Sequence, residues 1–187
     1  AFGSRLLEAA CGTGQYLVHL RDHFAVAGFD KSAAMLRIAR RRLPGSELWT
    51  ANMETVTVEQ PFDIVVCLFS SIGYLRPETE LVKAAHAFRD CLRPGGIVIV
   101  EPWMAPEKAI DRQIFQQVYE DDALKLTRAA ITRLDGRQCA IDFSWLVTTR
   151  NGTDYFTERH DLWMSTESEL LTCFRDAGFR AHLEPDG

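Results

Sequence analysis

Apolar and polar positions divide this chain into two stretches with different periods. Over the first hundred residues, short apolar runs alternate with segments whose apolar residues recur every three or four positions. Arg5–Cys11 is a brief apolar run and predicts a buried strand. Gln15–Phe24 carries Tyr16, Leu17, Leu20 and Phe24 at helical spacing. Ala25–Asp30 is apolar again and closes on an acid. Ser32 is a favourable N-cap for an amphipathic segment that runs to Leu43 and stops at Pro44-Gly45. Ser46–Ala51 reads as a weaker strand and Phe62–Phe69, FDIVVCLF, as a strong one. Pro77–Leu92 is a helix opened by proline and closed by Pro94-Gly95-Gly96, and Ile97–Glu101, IVIVE, is a further strong strand. Near-continuous apolar strands joined by helices predict a doubly wound α/β fold, Rossmann-like, with a mostly parallel sheet covered on both faces.

From Ile114 to Met164 the helical period is lost. Asp135-Gly136 and Asn151-Gly152 are hairpin signals between β-rich runs. Leu126–Leu134, Gln138–Thr148 and Asp154–Met164 predict an antiparallel β insert of three or more strands, placed after the fifth strand. Thr166-Glu167-Ser168-Glu169 then reads as a capping box for a helix bearing Leu170, Leu171, Phe174 and Ala177 and ending at Gly178. Phe179–Leu183 is a last strand candidate. The expected organisation is an α/β core over residues 1–103, a β-rich insert over 104–164 for substrate or dimer contacts, and a helix and strand over 165–187 that return to the core. The chain opens at the edge of its first strand and closes just after a strand-like segment, as a fragment of a longer protein would.

Composition narrows the function. Hydrophobic residues make up 47% and charged residues 25%, an ordinary balance for a globular protein. Lys+Arg number 21 against 26 Asp+Glu, and the net charge of -5 argues against a general nucleic-acid binder. The odd, scattered set Cys11, Cys67, Cys91, Cys139 and Cys173 contains no C-x-x-C pair, so it reads as buried, reduced thiols of a cytoplasmic protein. The five histidines have no ligand spacing, and no metal is expected. No apolar stretch approaches the ~20 residues that span a bilayer, and no signal peptide is present, so no membrane partner is expected. Arg40-Arg41-Arg42 closes a helix, where cations oppose the dipole, and reads as a solvated face.

The candidate chemistry starts at LLEAACGTGQY, residues 6–16, a strand–glycine–helix unit that offers backbone N–H groups to a ligand. Gly12-Thr13-Gly14 lacks the third glycine of the dinucleotide fingerprint, because position 17 is Leu, and no Gly-Lys-Ser/Thr follows. Asp30 ends the second strand, 16 residues after Gly14, where an acid can accept bonds from ribose hydroxyls. Glu8 ends the first strand and can bond loop amides or a ligand amine. Asn52-Met53 follow the third strand, where an amide and an apolar side chain can frame an adenine, and Phe69-Ser70-Ser71 follow the fourth.

LLEAACGTG, AGFDKS, ANM, FDIVVCLFSSIGYL and LRPGGIVIVEPW, taken in that order, resemble the class I S-adenosylmethionine-dependent methyltransferases over Leu6 to Trp103. Within them, FSSIGYL, VEPW and the later FTERHDLW resemble the desosamine-type N,N-dimethyltransferases of nucleotide-linked deoxyamino sugars. The resemblance implies that Glu8, Ala10, Gly12 and Gly14 form the loop under the methionine part of S-adenosylmethionine. Asp30 would hold the ribose, Lys31 and Met35 would flank adenine, and Asn52 would bond its amino group with the Met53 backbone nearby. Phe69 and Ser70 would line the methionine side. The family usually has Asp where Asn52 stands. Its N-terminal helical cover and final antiparallel strand have no counterpart in this sequence.

Methyl transfer to an amine needs a neutral nucleophile, so a base or acceptor helps. Tyr74, at the same sheet edge as the cofactor, is a candidate for contacting substrate or orienting the amine. Phe156, Glu158, His160 and Leu162 share one strand face, so Glu158 and His160 are a candidate catalytic pair, or a hydrogen-bonded pair that holds the sheet. Trp103 is a candidate wall of the substrate pocket, while Trp145 and Trp163 suit the insert core or a dimer surface. The expected reaction moves a methyl group from S-adenosylmethionine to a small-molecule amine and leaves S-adenosylhomocysteine. A hydroxyl acceptor, or a cofactor-binding module without activity, are the alternatives. A nucleic-acid methyltransferase lacks its Asn/Asp-Pro-Pro-aromatic motif at Phe69-Ser70-Ser71-Ile72, and a nicotinamide dehydrogenase lacks its glycine. A homodimer through the β insert is the expected assembly.

Overall fold

The structure, a computed structural model, describes residues 3–184. The chain forms two compact units. The first holds the chain up to Trp103 and again from Glu167; the second is Met104–Thr166.

The first unit is a five-stranded parallel sheet in the order β3-β2-β1-β4-β5. Its strands are β1 (Arg5–Ala9), β2 (Ala25–Asp30), β3 (Glu47–Thr50), β4 (Phe62–Cys67) and β5 (Leu92–Val100). Alternation explains the continuous apolar runs. Leu6 packs with Leu17 of α1 (Gln15–Leu20) and with Leu36 of α2 (Ala33–Arg42). Leu7 and Ala9 belong to the opposite cluster, with Ala84 and Phe88 of α3 (Val82–Cys91) and Cys173 and Phe174 of α4 (Glu167–Asp176). Every second residue therefore meets a different helix layer, and burying each such Leu or Phe side chain is worth about 1.5–3 kcal/mol. Burial also pushes the Cys11 and Cys67 thiols up to about 12, which keeps them protonated and unreactive.

Several boundaries differ from the sequence reading, each for a local reason. The first helix stops at Leu20, and Phe24 follows a turn closed by its own N–H on the Leu20 carbonyl. β5 starts at Leu92 rather than Ile97: between the pairs Phe62–Leu92 and Ile64–Ile97, four residues of β5 face one of β4. The Pro94-Gly95-Gly96 stretch is thus a bulge within the strand. Phe179–Leu183 is not a strand. Phe179 donates to the Phe174 carbonyl and rests its ring on Phe174 at 5.8 Å, so Phe179 and Ala181 pack on the core instead of joining a ladder. Ser32 caps α2 as expected, accepting the Met35 N–H at 3.3 Å.

The second unit is an antiparallel sheet in the order β6-β7-β8-β9. The strands are β6 (Ile114–Glu120), β7 (Leu124–Asp135), β8 (Gln138–Thr149) and β9 (Gly152–Trp163). Two-residue loops join β7 to β8 and β8 to β9 where the Asp-Gly and Asn-Gly signals stand. The β6–β7 turn has no glycine: the Asp121 carboxylate accepts the N–H groups of Ala123 and Leu124. Among the described residues, no helix is long and apolar enough to cross a membrane.

Candidate active site

The carboxyl ends of β1, β2 and β4 each leave the sheet through strained or tightly bonded backbone. After β1 the chain passes Ala10, Gly12 and Gly14 at φ 54, 53 and 74, all left-handed. A side chain at Gly14 would be strained by that φ and would place its Cβ 2.8 Å from Leu43 Cδ1. Asp30, at the end of β2, organises this loop. One carboxylate oxygen accepts the Gly12 N–H at 2.8 Å and the other accepts the Ser32 N–H at 2.7 Å. Each oxygen keeps a lone pair for a further donor. Arg42, at the end of α2, donates to the Thr13 carbonyl and hydroxyl and to Gln15 Oε1, at 3.3, 2.8 and 2.9 Å. It is exposed, as the sequence reading held, but it also clamps the loop; three arginines in a row gave no signal as to which of them would do so.

Glu8 sits beneath the loop, 2% exposed, and its Oε2 is buried with no hydrogen-bond partner. Burial, and then the nearby Asp30 carboxylate, raise its pKa to about 8, with the Leu17 N–H opposing. A buried carboxyl oxygen without a donor costs free energy until a donor or a proton arrives.

On the β4 side, Phe69 and Ser70 are consecutive left-handed residues at φ 53 and 56. Phe69 is 77% exposed. The Phe69 N–H donates to Glu101 Oε2 at 2.6 Å, and the Ser70 hydroxyl donates to the Pro102 carbonyl at 3.0 Å. Tyr74 lies under the Lys31 ammonium, 5.2 Å from its ring centroid, so the ends of β2 and β4 meet there. Trp103 packs on Gly73 so closely that a Cβ there would stand 2.7 Å from Trp103 Cβ. The Trp103 indole N–H is buried without a partner.

Two placements differ from the sequence reading or refine it. Met53 does not present its side chain as an apolar frame: that side chain is buried in the core, with Sδ 3.8 Å from Cys67 Sγ. Its backbone is what remains for a ligand. Asn52 and Met35, by contrast, are exposed. In the second unit the structure brings Glu158 and His160 together at 3.0 Å, with His160 edge-on to Phe143.

Residues 6–96 match the methyltransferase domain family. The chain is 35% identical to the dTDP-3-amino-3,6-dideoxy-alpha-D-glucopyranose N,N-dimethyltransferase of Streptomyces fradiae over 97% of its length and 72% of that protein's. The chain belongs to this methyltransferase family. The structure of DesVI from Streptomyces venezuelae is similar with a TM-score of 0.91 and 34% identity, covering 95% of this chain and 76% of that one. S-adenosylmethionine-bound CalS10, an amino pentose methyltransferase from Micromonospora echinaspora, aligns with a TM-score of 0.86 and 34% identity, over 94% and 75% of the two chains.

The methyltransferase uses S-adenosylmethionine as its cofactor, and the donor set at the sheet edge fits that molecule. The unpartnered Glu8 oxygen suits an ammonium group, and the Asp30 carboxylate suits a hydroxyl pair. An ammonium group brought against Glu8 would favour its ionised form, which burial otherwise disfavours. Glu101 is the residue of this methyltransferase that sequence reasoning left unassigned; the acid at the end of VEPW's strand was the only available signal.

Proposed function

We propose that this methyltransferase methylates the amine of a nucleotide-linked amino sugar. Similarity that runs through both units supports this reading. Three dTDP-amino-sugar N,N-dimethyltransferases match 96–98% of the chain at 33–35% identity. Bound S-adenosylmethionine supplies a methyl group on a sulfonium, and its in-line displacement leaves S-adenosylhomocysteine.

The protein's part is to bind, orient and handle one proton. Glu8, Ala10, Gly12 and Gly14 form the seat of the methionine part. Asp30 takes the ribose hydroxyls, Lys31, Met35, Asn52 and the Met53 backbone surround adenine, and Phe69 and Ser70 line the methionine side. Tyr74 and Trp103 contact the acceptor. An ammonium must lose a proton before it can attack, and a neutral imidazole held against a carboxylate is a competent acceptor, which is the role given to His160 with Glu158. The reaction takes place in the cytoplasm, consistent with five unpaired, buried cysteines. The chain forms a homodimer through the second unit, where Val118, Leu146 and Tyr155 lie in one cross-strand row and are exposed.

The deciding experiment incubates the protein with S-adenosylmethionine and dTDP-linked sugars bearing either an amine or a hydroxyl at the same carbon. Mass spectrometry is expected to find methylation of the amine alone. Methylation of only the hydroxyl sugar would establish the O-methyltransferase reading. Tight S-adenosylhomocysteine binding with no product from either sugar would favour a module without activity.

A further inference from the structure

Glu101 is an exposed carboxylate that forms no ion pair among the described residues, yet it makes one short bond to the most strained backbone of the first unit. Phe69 and Ser70 are the only consecutive non-glycine residues at positive φ among the described residues. Left-handed backbone is unfavourable for such residues, and it persists where the surroundings hold it and where function uses it. Two contacts hold this pair against the end of β5, and a third holds the residue that ends β4. Glu101 Oε2 accepts the Phe69 N–H at 2.6 Å, the Pro102 carbonyl accepts the Ser70 hydroxyl at 3.0 Å, and the Glu101 N–H donates to the Cys67 carbonyl at 2.9 Å. Below them, Gly73 seats its turn directly on the Trp103 ring. The result is an aromatic ring 77% exposed on a backbone that is anything but loose.

A charge-assisted bond at this length is among the stronger ones a backbone N–H can make. No packing need explains an outward phenyl ring fixed in this way, since the ring buries little against its own chain. A ring fixed in place before the ligand arrives avoids the ordering cost on binding.

We propose that Glu101 is a positioning residue for methyl transfer: its carboxylate holds the left-handed Phe69–Ser70 pair so that the Phe69 ring is set in advance against the methionine part of the cofactor. This rests on the reading that Phe69 and Ser70 line that part of the site. Glu101 acts through Phe69 and touches no reacting atom.

The test is calorimetric binding of S-adenosylhomocysteine to the wild-type chain, Glu101→Ala, Glu101→Leu and Glu101→Gln. Glu101→Gln keeps a side-chain oxygen that can accept the Phe69 N–H, whereas alanine and leucine keep none. Alanine and leucine are expected to weaken binding roughly tenfold, the loss of one charge-assisted hydrogen bond, while glutamine stays within about threefold. Leucine fills the side-chain volume, so it serves should the alanine variant not fold. Equal losses in glutamine and leucine, or leucine binding like wild type, would overturn the role of Glu101. A wild-type chain that does not bind S-adenosylhomocysteine at all would instead strike the cofactor reading on which it rests.

Discussion

The two units handle the same problem, a sheet with two faces, in opposite ways. In the first unit helices cover both faces of the central strands of a parallel sheet, and Leu7, Phe29, Val65 and Phe88 are fully buried, while Ile97 and Ile99 of the edge strand β5 stay exposed. In the second, an antiparallel sheet leaves large side chains in the open: every residue of β6 is exposed, Val118 among them, and so are Tyr155 and Phe156 of β9 at the opposite edge. Parallel strands need crossovers, and crossovers lay helices on the sheet; hairpins need none. The first unit therefore draws its stability from its core. The second leans on its ladders and on surface networks such as Arg133, Asp142, Arg159 and Asp161, linked at 2.8 to 3.5 Å. Exposed ion pairs of that kind add little each.

That contrast has measurable consequences, the largest at Phe88. Phe88→Ala should cost about 3–5 kcal/mol through lost burial and the cavity left behind, read by urea denaturation. A loss below about 1 kcal/mol there would mean that the first unit is not held by its core.

Next comes the acid buried under the glycine loop. The folded Glu8 pKa, about 8, lies above the ordinary 4.5, so the native state binds its proton more tightly than the unfolded chain does. Its favourable contribution is complete below pH 4.5 and is lost as pH rises through about 8. Stability should fall across that window, by an amount on the order of a few kcal/mol. Glu8→Gln should flatten the profile, and an unchanged slope in thermal unfolding against pH would remove Glu8 as its source.

Asp30→Ala deletes the acceptor that serves Gly12 and Ser32. It should weaken S-adenosylhomocysteine binding by about 1–3 kcal/mol in calorimetry. Affinity equal to wild type would place the ribose elsewhere. The smallest effect belongs to the open sheet: Tyr155→Ser should shift stability of the isolated chain by no more than about 0.5 kcal/mol. A larger loss at high protein concentration that shrinks on dilution would be the mark of the proposed subunit contact at Tyr155.

Much of the fold was legible because apolar periodicity reports burial. The runs at Leu6, Val26 and Ile64 announced strands of a buried sheet, the run at Ile97 announced a strand that instead leaves Ile97 and Ile99 exposed at the sheet edge, and Ser32 announced its helix by a capping bond that depends only on near neighbours in sequence. Phe179–Leu183 misled for the same reason. Its alternation was real, but it reflected packing on Phe174, and period alone cannot tell a ladder from a packed tail. The sequence could place Glu8, Gly12, Gly14 and Asp30 at one sheet edge because a strand–loop–helix unit brings near-neighbour residues together there. Met53 was misread because a one-residue turn of backbone decides whether a side chain enters the core or the crevice.

By itself, the sequence determined the strand and helix pattern, the glycine loop with its acids, and the family to which the chain belongs. Local hydrogen bonds, steric limits on φ and the burial of apolar side chains are all encoded over short spans. The tertiary structure alone decided that Glu101 grips Phe69 across 32 residues of chain, that Lys31 covers Tyr74, and that Arg42 clamps Thr13. Those contacts join the ends of different strands, and which ends meet is set by the sheet order β3-β2-β1-β4-β5, a property of the assembled sheet and not of any one segment.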